Sequence, residues 1–315
     1  MKKIKLLLSN IDYTSFHQLS FQSIMFEYFD IEFYDSKKTY DKNNTLLVIT
    51  LHRLDNIDWY HDLYQKGYKL LIDNLWGIPP GSNLSNSMTL MTPNWFWYNE
   101  SLLYKSLNYN LYVPNKSYNK LALMPMGLIK QSHELLFEAV SDHLDDLIYS
   151  YIERLDKYLP DDLPPLFPAR KGATGQHQRY FNPEWYNNTY FSLVSETLIN
   201  DDSSMHATEK TYKPIAFFHP FIIWGQKGIL NHLHNQGFES FTNLFNEDYD
   251  NRVSIDNRLK IIIDNIKFFN KVPYDSITLD KLQHNHSLFF NTELIKQRIF
   301  DEIVNPILEW VETKQ

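Results

Sequence analysis

The stretch that decides the fold reads Phe191-Ser-Leu-Val-Ser195-Glu196-Thr197, then Ala207-Thr208-Glu209-Lys210-Thr211-Tyr212-Lys213-Pro214-Ile215, then His219-Pro-Phe-Ile-Ile-Trp-Gly225. An apolar run ending in a carboxylate, an amphipathic segment opening on Thr-Glu-Lys and a second apolar run closed by glycine read as strand, loop, helix, strand. Thr208 suits an N-cap, which puts Glu209 and Lys210 in the first helical turn. Free N–H groups and the helix dipole attract anions at that end. The dipole disfavours a lysine there, so an adjacent anion accounts for Lys210. Glu209 beside it suits hydrogen bonding to a vicinal diol such as a ribose. Glu196 ends a buried strand, where a carboxylate is costly without a partner. A ligand contact and a structural partnership with a core hydroxyl or lysine both fit it.

Outward from this stretch, short apolar runs alternate with longer amphipathic ones. The pattern predicts strands at Ile4–Leu8, Ile31–Tyr34, Leu46–Thr50, Lys69–Ile72 and Met88–Met91, and again at Leu121–Met124, Leu147–Tyr151, Phe191–Ser195 and Phe221–Trp224. Helices are expected at Asp58–Lys66, Lys130–Leu144, Thr208–Phe217, Ile229–Asn235, Arg258–Phe269 and Thr292–Glu312. Strands alternating with helices indicate parallel sheets covered on both faces. Two α/β halves follow, with turn formers Pro114, Asn115 and Ser117 near their boundary. A second irregular region, Leu159 to Asn188, carries several prolines and the cations Arg170, Lys171 and Arg179. A loop of that length inside a compact domain is usually functional or mobile.

The chain has 315 residues, 43% hydrophobic and 22% charged, which is enough apolar material for a sizeable core. It has no cysteine, so disulfides, thiolate metal sites and cysteine nucleophiles are excluded. The net charge of −8 and the lack of a basic block argue against a nucleic-acid partner without ruling one out. No apolar run approaches the roughly 18 residues of a membrane span. Met1-Lys-Lys-Ile-Lys-Leu-Leu-Leu reads as a first buried strand rather than a leader. A cytoplasmic protein is expected, in the host cytoplasm if the source is a virus.

The ordered set of strand–Glu-Thr, variable loop, Thr-Glu-Lys-Thr-x-Lys-Pro-Ile and His-Pro-Phe-Ile with a glycine resembles the donor-binding half of the family 10 glycosyltransferases. These are the α1,3-fucosyltransferases and their viral and bacterial relatives. Phe181-Asn-Pro-Glu-Trp185-Tyr186-Asn-Asn-Thr189, Gly237-Phe238-Glu239-Ser240-Phe241, Glu247-Asp248-Tyr249-Asp250 and Arg258 add to the likeness, which covers about Lys120 to Lys267. The resemblance implies a GT-B fold, α/β with two Rossmann-like domains facing a cleft and a C-terminal closing helix. The expected domains are 1–116 on the acceptor side, 117–290 for the donor, and 291–315 as a helix packing back on the first. A nucleotide-sugar donor is a co-substrate rather than a cofactor, with a GDP-sugar favoured. By position, Glu209 would hold the ribose and Lys210 the diphosphate, with Glu196 and Thr208 beside the donor. The family places an arginine just after the first strand of this half. Here Met124-Pro-Met-Gly-Leu-Ile-Lys130 has none, so Lys130, Arg170, Lys171 and Arg179 are the cations expected to neutralise the diphosphate.

The implied chemistry is inverting, metal-independent transfer to a hydroxyl acceptor, in which a carboxylate takes the acceptor's proton and cations stabilise the leaving diphosphate. Candidates for the base in the N-terminal half are Asp73 after Lys69–Ile72, Glu100 after the aromatic run Trp95–Tyr98, and Asp55 after His52-Arg53. That aromatic run fits packing better than a sugar platform. Asp248-Tyr-Asp250 has the Asp-x-Asp form of a metal site but reads as a solvated loop, and no metal is expected. His232 and His234 are two apart on a helix and do not face each other. A glycan is the expected acceptor. The alternatives are a viral enzyme glycosylating hydroxymethylated pyrimidines in DNA and a non-catalytic nucleotide-sugar or glycan-binding protein.

Overall fold

The computed structural model describes residues 3–8, 19–50, 63–74, 87–91, 94–127, 129–151, 155, 182–200, 205–251 and 254–313. These residues divide into two compact units, one of Met1–Ser106 with Asn291–Gln315, the other of Leu107–Phe290. Both are built on wholly parallel sheets, as the GT-B expectation requires of each half.

In the first unit the described strands are β1 (Ile4–Leu8), β2 (Phe29–Phe33), β3 (Thr45–Thr50), β4 (Lys69–Asn74) and β5 (Ser87–Met91), in spatial order β2-β1-β3-β4-β5. Leu6, Leu7, Leu47, Val48, Leu70 and Leu71 are fully buried at its centre. Such unbroken apolar strands belong in a sheet covered on both faces. Helix α1 (Leu19–Tyr28) joins β1 to β2, and α2 (Trp95–Ser106) follows β5. Neither helix is evident from hydrophobic spacing. In α2 the run Trp95-Phe-Trp-Tyr98 masks any period, and Trp95, Trp97 and Tyr98 are all buried, as packing requires.

The second unit holds β6 (Lys120–Met126), α3 (Gln131–Ala139), β7 (Leu147–Tyr151), α4 (Pro183–Asn187), β8 (Thr189–Ser195), α5 (Glu209–Ala216), β9 (Phe221–Trp224), α6 (Ile229–Gln236), α7 (Ile255–Phe268) and α8 (Ser276–Phe289). The sheet order is β7-β6-β8-β9. Helix α3 is shorter than its expected span because the chain tightens into a 3-10 turn over Ser141–Asp146. The expected irregular region ends earlier than the sequence suggests, since Asn182 caps α4 by accepting from the Glu184 N–H at 2.9 Å.

The last segment is α9 (Thr292–Ile299), a π-helical turn (Phe300–Val304) and α10 (Asn305–Thr313). It packs within the first unit. Glu302 accepts from the Tyr98 hydroxyl at 2.7 Å and from Asn94 Nδ2 at 3.0 Å. The Arg298 guanidinium lies 4.9 Å from the centre of the Trp97 ring, and Lys69 Nζ donates to the Val311 carbonyl at 3.3 Å. No helix among the described residues is long and apolar enough to cross a membrane.

Candidate functional site

Strand β8 is buried along its whole length, and the chain leaves it at Glu196, whose N–H still bonds the Trp224 carbonyl at 2.8 Å. The Glu196 side chain is fully buried. Its Oε1 accepts from the Thr208 N–H at 2.8 Å and the Thr211 hydroxyl at 2.7 Å. Its Oε2 accepts from the Thr208 hydroxyl at 2.7 Å and the Thr197 N–H at 3.3 Å. Four donors thus converge on this buried carboxylate and leave neither of its oxygens unmatched. Of the two readings of Glu196, the contacts show partnership with hydroxyls, and they fasten the start of α5 to the end of β8.

Thr208 caps α5, its hydroxyl accepting from the Lys210 N–H at 3.3 Å. Glu209 and Lys210 therefore sit in the first turn, at the carboxyl edge of the sheet where open α/β folds bind ligands. Lys210 Nζ reaches Glu209 Oε1 at 3.2 Å, Thr197 Oγ1 at 3.3 Å and Thr208 Oγ1 at 3.4 Å. Its side chain is 18% exposed. Burial works against the charge, but the Glu209 and Glu196 carboxylates outweigh it and hold Lys210 above the ordinary lysine range. Lys210 therefore stands over the helix N-terminus as a cation already paired with a carboxylate.

A second helix begins at the same edge. Lys130, half-buried, is the residue preceding α3, with no side-chain cap. The Ser132 hydroxyl in its first turn donates to the Thr197 carbonyl at 3.3 Å, and the Trp224 indole N–H donates to the Ser132 carbonyl at 2.9 Å. These bonds tie the start of α3, which Lys130 precedes, to the residues that follow β8 and to the end of β9. Gln226 bonds both sides of the connection between β8 and α5, accepting from the His206 N–H at 2.8 Å and donating to the Asn200 carbonyl at 3.0 Å.

Several residues noted in the sequence take supporting positions that the sequence does not assign. Arg258 is fully buried, its guanidinium 4.7 Å from the Trp224 ring centre, donating to the Gly225 carbonyl at 2.7 Å and the Tyr249 carbonyl at 2.6 Å. It fixes the turn after β9. The expected solvated loop at Asp248–Asp250 needs correction. Asp250 is buried and accepts from the N–H groups of Ile229 and Leu230 at 3.1 and 3.0 Å, so it caps α6. Burial pushes its carboxyl up to about 6 despite those bonds. His232 and His234 bond different neighbours, Gln236 and Ser240.

Of the candidate bases, Asp73 stands at the carboxyl end of β4, in register with Thr50 of β3 and Leu90 of β5. Glu100 instead lies inside α2, fully buried, with Asn99 Nδ2 donating to its Oε1 at 3.1 Å. Asp55, Arg170, Lys171 and Arg179, and most of the expected helix Asp58–Lys66, fall outside the described residues.

The fold and the site define an α/β protein of two parallel-sheet units, one presenting a Glu-Lys pair at a helix N-terminus on the carboxyl edge of its sheet. The crystal structure of an alpha1,3-fucosyltransferase is similar to 96% of this chain over 91% of its own, with a TM-score of 0.49 and 11% sequence identity. No family model matches the chain, and no curated protein does.

Proposed function

We propose that the protein is an inverting, metal-independent glycosyltransferase that moves a sugar from a nucleotide-sugar donor to a hydroxyl acceptor. The donor favoured is a GDP-sugar, with fucose first among the sugars, and the acceptor a glycan. The observation that carries this reading is the fastening of α5 to β8 by Glu196, which sets Glu209 and Lys210 together at the sheet's carboxyl edge. The ordered sequence motif of the family 10 enzymes supports it independently. In this reading Glu209 takes the ribose diol, and Lys210 with Lys130 takes the diphosphate. Asp73 accepts the proton from the acceptor hydroxyl as its oxygen bonds to the anomeric carbon, and the bond to the diphosphate breaks with both electrons leaving on the phosphate oxygen.

Thermal unfolding with GDP, UDP, CMP, dTDP and their sugars tests it. One nucleotide at 100 times its dissociation constant should add about 2.7 kcal/mol of stability. The absence of any shift across the panel would sink the reading.

A further inference from the structure

We infer that Glu196 is a positioning residue of the donor site, acting on Lys210 through the hydroxyl of Thr208. The inference rests on the glycosyltransferase reading above.

A threonine hydroxyl has a single proton. In Thr208 that proton is committed to Glu196 Oε2 at 2.7 Å. The lone pairs of the same oxygen are then left for Lys210, whose N–H and Nζ lie 3.3 and 3.4 Å away. Thr197 makes a parallel link: its N–H donates to Glu196 Oε2 at 3.3 Å while its hydroxyl accepts from Lys210 Nζ at 3.3 Å. Glu196 and the lysine ammonium thus grip opposite sides of the same two threonines. An acceptor-only carboxylate is required at this point. A glutamine would offer one acceptor oxygen and two N–H donors where the protein presents four donors. Whichever way its amide turns, two of those donors meet an N–H group instead of an oxygen, and the grip that sets Thr208 and Thr197 against Lys210 loosens. Glu196 is fully buried, so it works on a bound diphosphate by fixing where the Lys210 ammonium stands.

A double-mutant cycle on nucleotide affinity separates this from a purely structural role. Titration calorimetry with the nucleoside diphosphate chosen by the stabilisation panel is run on the wild type, Glu196→Gln, Lys210→Met and the double variant. Glu196→Gln should weaken binding at least tenfold in the wild-type background and less than twofold in the Lys210→Met background. Equal losses in both backgrounds would overturn the inference, because Glu196 would then act without Lys210. Unchanged affinity in Glu196→Gln would overturn it too. If the wild type binds no nucleoside diphosphate, the glycosyltransferase reading fails first and takes this inference with it. Should Glu196→Gln not fold, Thr208→Val replaces it in the same cycle, with the same two expected ratios.

Discussion

Gly225 passes so close to Glu196 that a Cβ added to the glycine would lie 3.2 Å from the Glu196 Cβ and 3.2 Å from Ile229 Cδ1. The turn after β9 and the end of β8 are in tight contact there, so an added methyl group would make its neighbours give by a few tenths of an ångström. The glycine carbonyl is held from the other side by Arg258. Gly225→Ala should therefore cost about 1–3 kcal/mol of stability through overpacking and should displace Glu196. Denaturant titration measures the first effect and nucleotide calorimetry the second. An alanine variant as stable as the wild type would show that Glu196 yields without consequence.

Lys210→Met and Glu209→Ala should each weaken nucleotide binding while leaving the fold in place. The lysine variant should lose the larger share for a diphosphate than for the corresponding nucleoside, because its charge faces phosphate in the proposed reading. The glutamate variant should lose affinity for ribose and 2′-deoxyribose forms unequally. Equal losses for both forms would remove Glu209 from the ribose.

Asp73→Asn should lower turnover by about 10²–10⁴-fold, the scale of a lost general base, without changing nucleotide affinity. Glu100→Gln should act on stability instead, by about 1–3 kcal/mol, since its carboxylate is buried inside α2. Steady-state kinetics against the panel-selected donor distinguishes them. A fully active Asp73→Asn enzyme would exclude Asp73 as the base.

Acid should destabilise the protein below about pH 6.5. Burial holds His232 down to about 4, holds His219 well below the ordinary histidine range with the Lys116 charge assisting, and lowers His286 as well. The unfolded chain then takes up protons that the native chain refuses, so stability present above the unfolded histidine pKa is lost as pH falls toward 4. Asp250 opposes this, because a carboxyl raised to about 6 binds a proton in the native state first. Asp250→Asn keeps an N-cap while removing that opposition, and should steepen the fall between pH 6 and 4. Chemical denaturation at a series of pH values checks the slope, and stability rising steadily from pH 6.5 to 4 would contradict it.

Removing residues 291–315 should unfold the first unit. That segment supplies Glu302 to Tyr98 and Asn94, Arg298 to the Trp97 ring and the Val311 carbonyl to Lys69. Its buried Ile295, Ile299, Ile303, Ile307 and Val311 would leave a large apolar face in water. Limited proteolysis of the truncated chain should cut within 1–106 and spare 107–290. Uncut residues 1–106 would mean that the segment is dispensable.

The strand pattern was open to reading because parallel strands buried on both faces are continuous apolar runs, and each expected strand lies on an observed one. The helices Trp95–Ser106 and Ser276–Phe289 were not. The first hides its period in consecutive aromatics. The second buries polar residues, including Asn285, which accepts from the Glu239 N–H at 2.7 Å and donates to the Glu239 carbonyl at 2.8 Å. Hydropathy counts such a residue as solvent-facing, and only its partner across 46 residues of chain makes it core.

The same division runs through the candidate site. Sequence by itself determined the parallel α/β class, the strand positions and the local grouping of Thr208, Glu209 and Lys210, because N-caps and first turns are short-range chemistry. Tertiary structure alone decided which groups Glu196 bonds, how Gly225 and Arg258 close around it, and that Asp250 caps a helix rather than facing water. Each of these depends on groups distant along the chain meeting in a space from which water is excluded. Hydrogen bonding and charge there are set by neighbours that spacing along the sequence does not name.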